Sequence, residues 1–126
     1  WKYILHKGSS YSSKRTPGIW VHKDYTGLHA RISTTYDYDE GITNTPAFEL
    51  DRWYYLTYLK QGQTLAIYYD GVVADSITFS GQSLSNDGPL YIGKDPWHPG
   101  IEGGLDNIQI HNRALTELEI KQAASG

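Results

Sequence analysis

The apolar and polar positions of residues 53–79 predict three consecutive antiparallel strands. Residues 53–59, Trp-Tyr-Tyr-Leu-Thr-Tyr-Leu, are almost wholly aromatic, β-branched or apolar, which suits a strand with both faces covered. Lys60-Gln61-Gly62-Gln63 is a short polar break with a glycine, right for a hairpin loop. Residues 64–69 return, with Leu65, Ile67 and Tyr69 sharing one face by the period of two. Asp70-Gly71 follows at once, a strong hairpin signal, because tight primed turns need the positive φ that glycine adopts cheaply. Residues 72–79 read as the third strand. Such a meander needs a second sheet against its apolar face.

Earlier in the chain, residues 1–6 read as a strand, with Trp1, Tyr3 and Leu5 opposite Lys2, Ile4 and His6. Residues 8–18 are a long surface loop by composition. Residues 19–22 form the next strand. Residues 28–35 alternate cleanly, with Leu28, Ala30, Ile32 and Thr34 against His29, Arg31, Ser33 and Thr35. That alternation predicts one buried face and one wet face. Residues 42–50 read as a weaker strand broken by Pro46. Residues 90–92 form a short strand and residues 105–111 the last one. Thr116-Glu117-Leu118-Glu119 fits a capping box for a helix of about two turns. Leu115, Leu118 and Ala123 are expected to hold it to the sheet.

Composition narrows the class. The 126 residues fit one domain. Eleven tyrosines and four tryptophans stand against two phenylalanines, a skew toward rings with a polar tip that suits half-exposed faces and rims. The net charge is −3 and the 11 basic residues are scattered, so nucleic acid is not an expected partner. No apolar run approaches the ~20 residues that span a bilayer, so no membrane insertion is expected. There is no cysteine, which removes disulfides and thiolate metal sites.

Two blocks carry a family resemblance. Trp53, its apolar strand, the glycine break and Leu65-Ala66-Ile67-Tyr68-Tyr69-Asp70-Gly71 resemble the central hairpin of laminin G-like domains in the concanavalin A-like lectin/glucanase superfamily. Pro89-Leu90-Tyr91-Ile92-Gly93, then Gly104-Leu105-Asp106 and Asn112-Arg113-Ala114-Leu115, are similar to that family's closing pattern. The resemblance covers roughly the C-terminal three-fifths of the chain. It implies an all-β, two-sheet antiparallel jelly-roll-like sandwich with a short C-terminal helix. It also implies one domain over residues 1–126, excised from a longer protein and lacking its first strands. An unpaired sheet edge is then expected beside the first strand, completed from upstream or by a partner chain.

The superfamily includes glucanases, whose active strand carries Glu-x-Asp-x-x-Glu. Its alternation brings two carboxylates about 5 Å apart for retaining hydrolysis. The nearest match here is Glu49-Leu50-Asp51-Arg52-Trp53-Tyr54, where Tyr54 replaces the final Glu. No enzyme activity is expected. The resemblance places Asp106 on a Gly-x-Asp that often binds structural calcium. Its parity with Ile108 and Ile110 would aim it at an apolar face, and the alternative is a side chain capping a turn. A second calcium reading uses Asp37, Asp39 and Glu40 in the acidic stretch 36–41, against the plainer reading of a solvated turn.

Recognition is the preferred reading. Trp97 with Asp95 and His98, between Pro96 and Pro99, has the composition of a sugar site: a ring to stack on a pyranose and polar groups for its hydroxyls. Tyr36 and Tyr38 with Asp37 and Asp39 have it too. The alternative for Trp97 is a ring folded back on its own loop. A glycan or protein ligand, bound outside the cell, at its surface or on a virion, follows from the resemblance. The rival is a structural module among neighbouring chains of an assembly.

Overall fold

The computed structural model describes residues 1–9 and 14–126. Part of the expected loop over residues 8–18 thus lies outside the described residues. The chain forms two antiparallel sheets and one helix, the sandwich that the sequence predicts. The strands are β1 (Lys2–Lys7), β2 (Gly18–Val21), β3 (Leu28–Ile32), β4 (Glu40–Ile42), β5 (Leu56–Gln61), β6 (Thr64–Tyr69), β7 (Val72–Thr78) and β8 (Leu90–Ile92), followed by helix α1 (Glu117–Ser125). One sheet has the order β4-β3-β2-β1-β8 and the other β5-β6-β7. Ile19, Leu28, Ala30, Ile32 and Ile42 from the first sheet pack on Leu65, Ile67 and Phe79 from the second.

The central meander forms for local reasons. Asp70 and Gly71 take φ of 53° and 82°, the pair of left-handed residues that a tight primed turn requires. Tyr69 then pairs directly with Val72. The first hairpin is tighter than expected: Gly62 and Gln63 alone turn, and Lys60 and Gln61 belong to β5. The strand also starts later, at Leu56. Asp70 sets that start. Its Oδ1 accepts the Tyr55 N–H at 2.8 Å and its Oδ2 pairs with Arg52 at 2.7 Å, which turns residues 52–55 away from the sheet. Trp53 is consequently exposed instead of lying on a covered strand.

Four other expectations change. β1 has no open edge, because β2 and β8 flank it. The β3 segment is not wet on one face: His29 is 6% exposed and Trp20 beside it 4%, so β2 and β3 are covered on both faces at these positions. β4 is only three residues and precedes the segment expected as strand, where Pro46 and an irregular backbone lie. The expected strand over residues 105–111 does not form. Asn107 sits at φ 51° with its N–H bonded to Asp106 Oδ1 at 2.8 Å, a local turn that breaks the extended run.

The capping box of α1 is complete. Thr116 Oγ1 accepts the Glu119 N–H at 3.2 Å and Glu119 Oε1 accepts the Thr116 N–H at 3.0 Å. The anchor differs from expectation. Ile120 is buried and Leu118 is exposed, since the helix lies over the β6–β7 turn, with Lys121 and Ala124 against Gly71. Ile120→Ala is therefore expected to cost about 2–4 kcal/mol, and Leu118→Ala under about 0.5 kcal/mol. Urea unfolding of the two variants checks the order.

Candidate functional site

The site grows from strand register. Tyr3 pairs with Trp20, and Trp20 with His29, so these three side chains form one row across β1, β2 and β3 on the face turned away from the core. A bulge between Tyr3 and Leu5 shifts the parity of β1. It puts His6, not Leu5, on the same face as Tyr3. The rings pack tightly: Tyr3 stacks on Trp20 at 4.4 Å between centroids, and Trp1 meets Trp20 edge-on at 5.9 Å and His29 at 4.8 Å. Gly18 makes room, since a Cβ there would come 2.8 Å from the Trp20 ring and 3.2 Å from the Arg15 stem.

Charged groups frame the rings. The Asp39 carboxylate is shared by Arg15 at 3.3 Å and Arg31 at 3.2 Å. The Arg15 guanidinium stands over Trp20 at 5.8 Å and Trp97 at 6.0 Å, within cation–π range. Arg31 Nε also donates to His29 Nε2 at 2.6 Å, while His29 Nδ1 lies 2.9 Å from the Thr43 carbonyl. Those two bonds require a neutral imidazole with its proton on Nδ1. Burial agrees, lowering the His29 pKa to about 4.

The loop after β8 closes one side. Asp95 is buried, and its carboxylate accepts the N–H groups of Trp97 and His98 and holds His98 Nδ1 at 3.0 Å. Asp95 therefore shapes the loop. The His98 ring lies parallel to Tyr3 at 5.7 Å. Trp97 stays 44% exposed and meets His6 edge-on at 5.3 Å, so it neither folds away nor stands free. His6 lies below, fully buried, and neither of its ring nitrogens finds a hydrogen-bond partner among the described residues. Burial pushes its pKa down. The result is a cleft of about 340 Å³ lined by Trp1, Tyr3, Arg15, Trp20, His29, Asp39, Trp97 and His98.

The sequence-predicted residues divide. Trp97, His98 and Asp39 reach the cleft, and Asp95 supports it. Tyr36 and Tyr38 remain exposed outside, with Tyr38 beside the Lys14 ammonium at 5.9 Å. The carboxylates of the calcium readings have partners within the protein. Asp39 is already neutralised by two guanidiniums, Asp37 Oδ1 accepts the Asp39 N–H at 2.9 Å, and Glu40 is bonded to Thr34 at 2.7 Å. Asp106 is exposed and caps its own turn instead of pointing at an apolar face. Among the described residues, no three His, Cys, Asp or Glu side chains converge as metal ligands. A larger recess, about 470 Å³, is lined by Ser9, Lys14 and residues 85–88, with no aromatic ring among the described residues that line it.

The family follows from a match to residues 1–121 by a laminin G-type family model, described as the concanavalin A-like lectin/glucanases superfamily. The chain belongs to this superfamily. A comparison with curated proteins finds no match. Among solved structures, the chain is similar to residues 221–444 of an S-layer domain-containing protein from Clostridium thermocellum ATCC 27405. Identity is 24%, the TM-score 0.51, and the match covers 98% of this chain and 62% of that one. The chain thus spans less than two thirds of the solved chain, and the likeness shows the fold. The superfamily's carboxylate pattern has no counterpart in the cleft: Glu49 and Asp51 sit exposed in the turn before β5.

Acid should expose the cost of the neutral His29. The folded chain keeps it unprotonated to about pH 4, whereas the unfolded chain protonates it near 6.5. Stability is then full above about pH 6.5 and falls as the pH drops toward 4, by on the order of 3 kcal/mol. His29→Gln, which keeps a donor and an acceptor, should flatten that fall in chemical unfolding measured across the window.

Proposed function

We propose that the chain is a non-catalytic module that binds a glycan in the aromatic cleft. One observation carries this reading: Trp1, Tyr3, Trp20 and Trp97 gather around one opening whose rim holds Arg15, Asp39 and His98. A pyranose presents an apolar C–H face and an equatorial belt of hydroxyls. The exposed face of Trp97 suits the first. The Arg15–Asp39 pair and His98, with Nε2 left over from its bond to Asp95, suit the second. The rings and the guanidinium are already packed, so little ordering is lost on binding.

The electrostatics speak against hydrolysis at this site. Asp39 is tied to two arginines and Asp95 is sealed behind its loop, so neither is poised as acid or nucleophile. The donor set does not fit calcium, and binding independent of calcium is the expectation. Among the described residues no helix is long and apolar enough to cross a membrane. The second reading is an assembly module at a cell surface, supported by the name of the S-layer domain-containing neighbour alone.

A glycan array probed with the chain, with millimolar calcium and again with chelator, tests the proposal. Reproducible binding to one glycan class is expected in both conditions. Trp97→Ala should abolish it with the fold intact by circular dichroism, and Tyr36→Ala should leave it unchanged. A blank array with folded protein would sink the glycan reading and favour assembly. Loss with chelator would show a cation that the donor set does not explain.

A further inference from the structure

Hydrogen-bonding groups at the floor of the cleft differ in kind from those at its rim. The floor is the row Tyr3, Trp20 and His29. Both nitrogens of His29 are taken, Nδ1 by the Thr43 carbonyl and Nε2 by the Arg31 Nε–H. Tyr3 is 1% exposed, and its hydroxyl is turned to the Asp95 carboxylate. Trp20 differs. Its indole N–H makes no hydrogen bond among the described residues, yet it is not sealed, for the sealed side-chain atoms without a partner there are the two ring nitrogens of His6. The N–H therefore reaches the surface, and the surface that Trp20 lines is the cleft. Beside it, the indole N–H groups of Trp1 and Trp97 are also unbonded among the described residues. An indole nitrogen donates and does not accept. The floor thus offers donors set among rings, with no open acceptor among the described residues.

The rim supplies the opposite kind. Asp39 holds both guanidiniums through Oδ1, which leaves Oδ2 open on an exposed side chain. His98 points Nδ1 at Asp95, so in the neutral ring the proton sits on Nδ1 and Nε2 accepts. Charge is balanced, with Arg15 and Arg31 against Asp39 and Asp95. An anionic ligand therefore finds no excess of positive charge here.

A hydroxyl fits such a floor poorly. It can accept from the indole N–H, but its own proton then lacks an acceptor, and a donor buried without a partner is costly. A carbonyl oxygen accepts from the same N–H and carries no proton. An amide adds an N–H for a rim acceptor, and an acetyl adds a methyl group for the rings. We propose that the cleft selects an N-acetylated amino sugar. Its acetamido carbonyl accepts from the Trp20 indole N–H, its methyl lies among the Trp1 and Trp20 rings, and its amide N–H turns to Asp39 or His98 at the rim. This inference rests on the glycan reading of the cleft and names the class of sugar.

Matched monosaccharides that differ only at C2 test this. Glucose, glucosamine and N-acetylglucosamine, and the same three galacto forms, are titrated against the chain while the indole N–H signals are followed by NMR. Glucuronic acid serves as the anionic control. In at least one series the N-acetyl sugar is expected to bind more than about tenfold tighter than the parent hexose, the low end of what one well-placed group contributes. The amino sugar, which lacks the carbonyl, should gain nothing, and the Trp20 indole proton should move downfield with the N-acetyl sugar alone. Trp20→Phe keeps a ring and deletes the N–H, so it should erase most of the preference; if that variant does not fold, the wild-type titrations still decide. Equal affinity for hexose and N-acetyl sugar in both series overturns the proposal, as does tighter binding of glucuronic acid or no binding by any of the six. The array judges the glycan reading separately. Hits without an acetamido group keep that reading while this inference falls, and a blank array removes both.

Discussion

The register of β1, β2 and β3 is the constraint on which the rest depends. A strand sends alternate side chains to opposite faces, so one residue of slip would exchange the two sets. Here the register sends Ile19, Leu28, Ala30 and Ile32 into the core and Tyr3, Trp20 and His29 to the other side. The same pairing builds the sandwich and the aromatic row. The bulge after Tyr3 serves both sides as well, giving Leu5 to the core side and His6 to the rings.

Covering the outer face has a consequence for chemistry. Two imidazoles are buried in it, His6 without a hydrogen-bond partner among the described residues and His29 bonded on both nitrogens. Both are held neutral by burial. The positive charges that remain are the Arg15 guanidinium, over the Trp20 and Trp97 rings, and the Arg31 guanidinium, the two bridged by Asp39. Such a surface is apolar in the middle and hydrogen-bonding at the rim, and its charges are largely spent on one another. That combination suits a neutral, hydroxyl-rich ligand better than an ion.

Much of the fold was legible because its signals are local. Asp70-Gly71 specifies a turn through two backbone angles, and Thr116 and Glu119 cap a helix through two bonds within four residues. The 90–92 strand was placed to the residue. The failures involve distant partners. Residues 105–111 look like a strand, but Asn107 turns, and no strand among the described residues pairs with them. Of the site, Trp97 and His98 were visible as a loop composition. Trp20 and His29 escape a sequence reading in which the alternation of residues 28–35 predicts one buried and one wet face, and nothing local links them to Trp1 and Tyr3 on the first strand. The signal lies in the outward positions of residues 19–22 and 28–35, which carry Trp20, His22 and His29, rings unlike a solvated face.

The chain offers its own internal control for the central claim, that the outer face of the five-stranded sheet is the binding surface. Of its four tryptophans, Trp1, Trp20 and Trp97 line the cleft and Trp53, exposed before β5, does not. Indole N–H resonances followed by NMR, as an array-positive oligosaccharide is added, read each position separately. The account predicts that Trp97 and Trp1 shift and saturate together while Trp53 stays fixed. A shift confined to Trp53, or saturable binding that moves none of the cleft indoles, would contradict it.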